Sequence, residues 1–146
     1  MRAQRIRHEH LDAVAALEAG VFHAPWSAQA LALLTGESGI GFVVMQDGVA
    51  LAYGGMLTVL DEGQITNIAT HPEYRRRGYG AAVLEALLHA ARERGLAQIT
   101  LEVRESNRAA RALYERYGFT VVGSRPRFYT HPTENALIMA CTLDRE

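Results

Sequence analysis

The chain has 146 residues, of which 49% are hydrophobic and 21% charged, so it is predicted to form one globular domain over residues 1–146 rather than a disordered or multidomain protein. The chain contains 15 arginines, no lysine and 16 acidic residues. Its net charge of −1 argues against a nucleic-acid-binding protein. A single cysteine, no apolar run of about 20 residues and no signal-peptide core predict a cytoplasmic protein without disulfides, a cysteine-based zinc site or a membrane span.

The N-terminal quarter of the chain predicts a strand and two helices. The strand covers residues 3–7, and apolar residues then recur at helical spacing from Leu11 to Gly20, which is predicted to end the first helix. Pro25-Trp26-Ser27 interrupts the pattern, and the Ser27 hydroxyl is suited to cap a short second helix.

The middle of the chain predicts a three-stranded meander. Two strands lie within residues 40–60, where Asp47-Gly48 forms a two-residue turn that requires positive φ angles. Asp61-Glu62-Gly63 is predicted as the next turn, and residues 64–70 form the third strand.

After residue 70 the pattern alternates between helix and strand, which is typical of crossover connections between parallel strands. An apolar stripe beginning at Val83 predicts a long helix that is closed by Gly95. Residues 98–103 alternate in polarity as a strand, and Asn107 can cap a further helix that ends at Gly118.

Two strands complete the chain and the predicted α/β fold. They cover residues 119–123, with an extension toward Tyr129, and residues 137–142. A turn at residues 131–133 separates them. The chain contains no internal repeats or linkers.

The most informative segment is the junction between the third meander strand and the long helix. It contains Arg75-Arg76-Arg77 followed by Gly78 and Gly80. The first N–H groups of a helix have no intrahelical partner, and glycine lets an anion approach them. The junction therefore predicts a pyrophosphate-binding loop, the alternative being a solvated basic turn. It is not a dinucleotide motif, because Val83 replaces the third glycine, nor a Walker motif, because there is no lysine.

The loop resembles that of the GCN5-related N-acetyltransferase (GNAT) family, which reads Arg or Gln, two residues, Gly, one residue, then Gly or Ala. Arg75, Gly78 and Gly80 match these places. The resemblance implies the GNAT fold, a mixed and mostly antiparallel sheet of about six or seven strands flanked by about four helices, with a splayed parallel pair at its centre. It also implies acetyl-CoA as cosubstrate. The implied binding residues are Ile68, Ala69, Thr70, Arg75, Arg76, Arg77, Gly78, Tyr79, Gly80, Ala81 and Asn107, although Asn107 is equally suited to an ordinary helix cap.

A closer resemblance, covering nearly the whole chain, is to the ribosomal-protein alanine N-acetyltransferases of the RimI type. The matching blocks include Pro25-Trp26-Ser27, Asn67-Ile68-Ala69, Leu101-Glu102-Val103-Arg104, Ala112-Leu113-Tyr114-Glu115 and Ala136-Leu137-Ile138-Met139. In those enzymes the glutamate of the Leu-Glu-Val-Arg block is the general base, and the tyrosine of the Ala-Leu-Tyr-Glu block is the general acid. The resemblance therefore implies catalytic roles for Glu102 and Tyr114.

Both residue types suit acetyl transfer from a thioester to an amine. Glu102, near the end of a predicted strand, could take the amine proton directly or through water, and Tyr114 could protonate the leaving thiolate. A surface ion pair for Glu102 and core packing for Tyr114 are the structural alternatives. An α-amine has a pKa of about 8, against about 10.4 for lysine, so it needs less help to become nucleophilic. The predicted acceptor is a protein N-terminal α-amine, attacked directly in a ternary complex.

The acceptor side departs from the RimI-type pattern. Arg125-Pro126-Arg127-Phe128-Tyr129 replaces Arg-Arg-Asn-Tyr-Tyr, and Asn135 replaces an aspartate. Candidates to bind the acceptor are Trp26, Tyr129 and Glu134. A small amine, an amino acid or another protein remains an alternative acceptor. A non-catalytic acetyl-CoA-binding module is a second alternative, which the retained Glu102 and Tyr114 disfavour.

No metal site is predicted from the sequence. The six histidines do not cluster at metal-ligand spacing, since His8 and His10 would point to different faces of a helix. Cys141 lies in the last predicted strand and is expected to be a buried apolar residue rather than a nucleophile. Nothing in the sequence indicates an oligomeric state.

Overall fold

The computed structural model describes residues 2–143, which form a seven-stranded sheet with four α-helices. The strands are β1 (Gln4–Arg5), β2 (Gly39–Gln46), β3 (Val49–Val59), β4 (Glu62–Thr70), β5 (Gln98–Arg104), β6 (Thr120–Tyr129) and β7 (Glu134–Thr142). The helices are α1 (Leu11–Val21), α2 (Ala28–Leu31), α3 (Tyr79–Glu93) and α4 (Arg108–Arg116). Short 3-10 helices cover His8–His10, Ala32–Thr35 and Pro72–Tyr74.

The sheet is mixed, and its strand order is β1-β2-β3-β4-β5-β7-β6. Only β4 and β5 run parallel, because α3 carries the chain back along one face of the sheet before β5 begins. All other neighbours are antiparallel. The predicted mixed sheet with a central parallel pair is confirmed.

Two apolar layers cover the faces of the sheet. Adjacent strand residues such as Ala52 and Tyr53 belong to different core clusters, as expected when successive side chains point to opposite faces. Residues of α1 and α2 pack in one cluster, and those of α3 and α4 pack in the other. Fully buried side chains such as Leu84 and Leu87 each contribute about 1.5–3 kcal/mol. Their burial holds α3, and so the loop before it, against the sheet.

The parallel pair separates after a short contact. Only Glu62, Gly63 and Gln64 of β4 are paired with β5, opposite Gln98, Ile99 and Thr100. A bulge then interrupts β4, because Gly55 faces Asn67 while the neighbouring Met56 faces Ile65. A bulge bends its strand locally. The second half of β4 therefore diverges from β5 and opens the sheet at its centre.

Several element boundaries differ from the predictions. Helix α1 continues through Gly20 to Val21, because the Phe22 N–H still donates to the Glu18 carbonyl. Strand β4 begins at Glu62, so Gly63 lies in a strand rather than in a turn. A β-carbon at Gly63 would lie 2.6 Å from the Met56 sulfur, so any other residue there would require the Met56 side chain to move.

Other local predictions are confirmed by backbone geometry. Asp47 and Gly48 have φ angles of 50° and 80°, as the predicted hairpin turn requires. The Ser27 hydroxyl accepts a hydrogen bond from the Ala30 N–H and caps α2. Within residues 2–143, no helix is long and apolar enough to cross a membrane.

Candidate active site

The opening between β4 and β5 is a cleft of about 860 Å³. Residues 64–68 of β4 and residues 101–104 of β5 line its two sides. Seven of the predicted site residues also line it, namely Trp26, Ile68, Arg75, Glu102, Asn107, Tyr114 and Tyr129. The fold thus brings together residues from five separate parts of the sequence.

Glu102 presents one carboxylate oxygen to an ion pair and leaves the other without a partner. Its Oε1 lies 3.4 Å from Nε of Arg125 on β6. Its Oε2 is buried and accepts no hydrogen bond from any described residue. A buried, unpartnered carboxylate oxygen is costly in a folded protein. Because Glu102 lines the cleft, its carboxylate is a candidate to accept a proton from a bound ligand.

Tyr114 lies on α4, packs in the core and also lines the cleft. Its side chain is only 8% exposed, and its ring contacts Phe119 at a centroid distance of 5.9 Å. Burial, with a smaller contribution from Tyr129, raises the pKa of Tyr114 to about 12. The hydroxyl is therefore a proton donor throughout the neutral range. The predicted core packing and the position beside the cleft both hold for this residue.

The loop before α3 leaves backbone N–H groups unpaired, as the sequence predicted. Gly78 precedes the helix with a φ angle of +84°, and the Ala82 N–H makes the first helical bond, to the Gly78 carbonyl. The three N–H groups of residues 79–81 accordingly have no partner within the helix. No acidic residue lies in the first turn of α3. This end of the helix can accept an anion.

The arginines of this loop differ in their surroundings. Arg75 lines the cleft, whereas the Arg77 guanidinium lies over the Tyr74 ring, 5.1 Å from its centroid. Arg76 has a φ angle of +65°, a left-handed conformation that is uncommon for residues other than glycine. The three neighbouring arginines are therefore not equivalent, and Arg75 is the one directed to the cleft.

The strand before the loop offers further backbone donors. The His71 N–H donates to the Leu51 carbonyl of β3, so it points away from the cleft. Because successive N–H groups of a strand point to opposite edges, that of Ala69 also faces β3, and those of Ile68 and Thr70 face the open edge. Of the three predicted backbone donors on β4, Ile68 and Thr70 are therefore the accessible pair.

Asn107 combines two roles that the sequence left open. Its Oδ1 accepts a hydrogen bond of 3.2 Å from the Ala110 N–H and caps α4. The same residue lines the cleft. Since capping uses only the side-chain oxygen, the amide nitrogen remains available to a ligand.

Arg104 fixes the segment between β6 and β7 against the end of β5. Its guanidinium donates to the carbonyls of Thr130, at 2.8 Å, and Pro132, at 3.0 Å, and it lies over the Tyr129 ring at 4.5 Å. It also pairs with Glu134 at 3.2 Å. Burial and the nearby Glu102 carboxylate raise the pKa of Tyr129.

Glu134 lies outside the lining of the cleft and is engaged by its own chain. Besides pairing with Arg104, it accepts a hydrogen bond of 2.5 Å from the Ser106 N–H. Hydrogen bonds from Ser106 and the Arg104 charge hold the pKa of Glu134 below its ordinary value. These contacts suit a residue that anchors the segment more than one that pairs with an incoming peptide.

A polar cluster that was not predicted from the sequence lies behind the cleft. Glu18 of α1 is fully buried, and its carboxylate accepts hydrogen bonds from Tyr53 and Asn67 and from the Trp26 N–H. A signal was present, because Glu18 follows Leu11 and Val14 at the helical spacing of the buried stripe. An acidic residue on that stripe indicates a buried carboxylate with specific partners.

Residues 2–143 contain no group of three or more histidine, cysteine, aspartate or glutamate side chains placed to hold a metal ion. Cys141 is 5% exposed, and its sulfur lies 3.6 Å from the Tyr117 carbonyl.

Comparisons with known proteins agree with this geometry. The sequence profile of the acetyltransferase (GNAT) family matches residues 8–119. A relative from Escherichia coli K12, named [ribosomal protein bS18]-alanine N-acetyltransferase, is 43% identical over 118 residues, which cover 80% of each chain. The protein of that name from Haemophilus influenzae is 38% identical over 122 residues, covering 82% of this chain and 83% of its own.

A solved structure extends the likeness to the three-dimensional fold. The crystal structure of the ribosomal-protein-S18-alanine N-acetyltransferase from E. coli superposes with a TM-score of 0.89 at 37% identity, covering 99% of this chain and 94% of that one. With a family profile that spans most of the sequence and relatives aligned over four-fifths of it, the chain belongs to the GNAT family of N-acetyltransferases.

Proposed function

We propose that the protein transfers the acetyl group of acetyl-CoA to the N-terminal α-amine of a protein by direct attack within a ternary complex. The observation that carries this proposal is the shared cleft, into which Glu102, Tyr114 and the open edge of β4 all face. A proton acceptor, a proton donor and backbone N–H groups are the three requirements of amine acetylation.

The cofactor site is proposed at the loop and the start of α3. Bound acetyl-CoA supplies an activated acetyl thioester. The N–H groups of residues 79–81 would hold its pyrophosphate, and the positive φ of Gly78 aims them outward. A β-carbon at Gly80 would lie 3.3 Å from the Thr70 hydroxyl, so the glycine keeps this approach narrow but open. The loop and the start of α3 are therefore suited to acetyl-CoA, the cosubstrate that the family uses.

The reaction itself is assigned to two side chains and one strand. Glu102, whose carboxylate lines the cleft, would take the proton from the attacking amine as the new C–N bond forms. The N–H groups of Ile68 and Thr70 would stabilise the negative charge that develops on the carbonyl oxygen. Tyr114 would donate its hydroxyl proton to the sulfur as the C–S bond breaks.

The acceptor is proposed by chemistry and by the names of the relatives. Proteins 38% and 43% identical to this chain are named for an alanine of ribosomal protein bS18. An α-amine with a pKa of about 8 is partly neutral at pH 7, and its neutral fraction exceeds that of a lysine amine by a factor of several hundred. Because Glu102 is the one base that we assign to the cleft, the easier nucleophile fits better. Trp26 and Tyr129 would contact the incoming peptide.

The experiment is an acetylation assay with a panel of acceptors. The panel contains a peptide with a free N-terminal alanine, the same peptide with a blocked N-terminus and an internal lysine, polyamines and free amino acids. We expect acetylation of the free alanine peptide, with mass spectrometry locating the group on the α-amine. Modification restricted to lysine side chains or polyamines would contradict the proposal and favour a small-amine or lysine acetyltransferase.

A further inference from the structure

The proposed reaction does not use Glu18, although its carboxylate is fully buried. Removing a carboxylate from water is expensive unless hydrogen bonds replace its hydration. Three donors do so here, and they come from three different segments of the chain. The Trp26 N–H donates at 2.9 Å, Asn67 Nδ2 donates at 2.6 Å, and the Tyr53 hydroxyl donates to the same oxygen as Asn67.

The three donors differ in their relation to the cleft. Trp26 and Asn67 both line it, and they donate to different oxygens of the buried carboxylate. Tyr53 does not line it and is fully buried within the core. Burial and the hydrogen bond to Glu18 raise the pKa of Tyr53 well above its ordinary value, so its hydroxyl stays a donor. Glu18 therefore connects two cleft-lining residues to one residue of the core.

The carboxylate also determines the orientation of the Asn67 amide. A carboxylate only accepts hydrogen bonds, so the NH2 group of Asn67 must face it. The carbonyl Oδ1 is then the polar atom that Asn67 can offer to the cleft, and no described residue donates a hydrogen bond to it. Asn67 directly precedes Ile68, whose N–H faces the same open edge of β4.

We propose that Glu18 is a positioning residue for the acceptor amine, acting through the Asn67 amide and the Trp26 backbone. Asn67 Oδ1 would accept an N–H of the incoming amine and direct its lone pair toward the thioester, while Glu102 takes the other proton. The tether at Trp26 keeps the α1–α2 connection against the same edge. This inference rests on the proposed acetyltransferase function and adds its recognition of the amine.

The substitution Glu18→Gln tests the orientation with little change in volume. A glutamine has one accepting oxygen where the carboxylate has two. If its NH2 group faces Trp26, it meets the backbone N–H and the tether is lost. If it faces Asn67, that amide must reverse and present its NH2 group to the cleft. Either arrangement impairs amine binding, whereas the Tyr53 hydroxyl can rotate to adapt.

The measurement is a double-mutant cycle on acceptor kinetics at saturating acetyl-CoA. We expect Glu18→Gln and Asn67→Ala each to raise the acceptor KM about tenfold, the scale of one lost hydrogen bond. The double variant should raise the KM by less than the product of the two single effects, because part of the Glu18 effect passes through Asn67 and part through Trp26. The Kd of acetyl-CoA should stay unchanged in all three variants, since its loop lies elsewhere.

The control is Tyr53→Phe, which removes a hydroxyl that contacts both Glu18 and Asn67 but leaves the hydrogen bonds from Trp26 and Asn67 to the carboxylate. It should retain the wild-type acceptor KM even if its melting temperature falls. The proposal is overturned if Tyr53→Phe reproduces the loss, if the two cleft effects multiply in the double variant, or if acetyl-CoA affinity falls in parallel. Should Glu18→Gln fail to fold, Glu18→Asp shortens the side chain and should weaken the hydrogen bonds to Asn67 and Trp26, and an unchanged acceptor KM in that folded variant would overturn the proposal.

All variants are compared with the wild type on whichever amine the wild type acetylates. A wild type that acetylates lysine peptides alone would refute the proposed α-amine function and leave the Glu18 inference testable on lysine. A wild type that acetylates the alanine peptide while Glu18→Gln keeps its acceptor KM would refute the inference alone.

Discussion

Replacing Tyr114 by phenylalanine should separate catalysis from stability more cleanly than any other change in the cleft. The substitution deletes one hydroxyl and keeps the ring against Phe119. No described residue hydrogen-bonds to that hydroxyl, so its removal leaves no protein group unsatisfied. We expect the free energy of unfolding to change by less than about 0.5 kcal/mol, a shift of at most about 2 °C for a domain of this size.

The rate should respond far more strongly. General acid catalysis contributes about 10²- to 10⁴-fold. A phenol with a pKa of about 12 is a weaker acid than a thiol, whose ordinary pKa is about 8.5, so complete transfer to the thiolate is uphill. A weaker acid gives a smaller rate gain from proton transfer to the sulfur. We therefore expect kcat to fall by an amount near the lower limit, about 100-fold or about 2.7 kcal/mol.

The assay follows CoA release with a thiol reagent at saturating concentrations of both substrates, beside calorimetric binding of acetyl-CoA. Tyr117→Phe is the matched control, because Tyr117 follows α4 directly and its hydroxyl donates to Glu85 outside the cleft. The control should lose a hydrogen bond and keep its kcat. Equal kcat values for Tyr114→Phe and the wild type would refute the assignment of the proton donor. A matching fall in acetyl-CoA affinity would instead indicate a binding role.

Four further changes test other parts of the site. Glu102→Gln should lower kcat/KM by about 10²-fold or more at pH 7, with the deficit narrowing as the pH rises past the acceptor pKa of about 8; a constant deficit would contradict a base. Gly80→Val should weaken acetyl-CoA binding about 10- to 100-fold in calorimetry, because its side chain enters the gap beside Thr70, while circular dichroism stays native. Arg104→Lys loses the forked contacts to two carbonyls and should raise the acceptor KM about tenfold without altering the Kd of acetyl-CoA. Because the pKa of Tyr114 is about 12 when folded and about 10 when unfolded, the unfolded chain releases that proton first, so stability should fall by about 1.4 kcal/mol between pH 9 and pH 11; urea unfolding of Tyr114→Phe should lack this part.

The sequence predicted those elements whose conformation depends on residues close together in the chain. Asp47-Gly48 forms the expected hairpin turn because the turn depends on the φ angles of those two residues alone. The stripe from Val83 to Ala91 is buried as predicted because helical spacing determines its face. Gly78 precedes α3 with a left-handed φ angle, which glycine adopts readily because it has no β-carbon.

Features that depend on contacts between distant segments could not be read in this way. Gly63 was predicted in a turn, yet it lies in β4, where the Met56 side chain of the neighbouring strand occupies the space of a β-carbon. The bulge in β4 has no residue signature, and the splayed pair was expected only through the family resemblance. The partners of Glu18 lie 8, 35 and 49 positions away in the chain. No spacing rule connects such residues.

The short contact between β4 and β5 affects how firmly the two halves of the sheet are joined. Beyond Gln64 and Thr100, no paired residues join the first four strands to the last three in the described chain. A ligand whose amides hydrogen-bond along the free edge of β4 would extend the sheet at that edge. The bound substrate would then form part of the sheet. A ligand at 100 times its Kd adds about 2.7 kcal/mol of stability. The two halves of this enzyme would then be held together most firmly during turnover, and hydrogen exchange at Ile68 and Thr70 would slow when the cleft is filled.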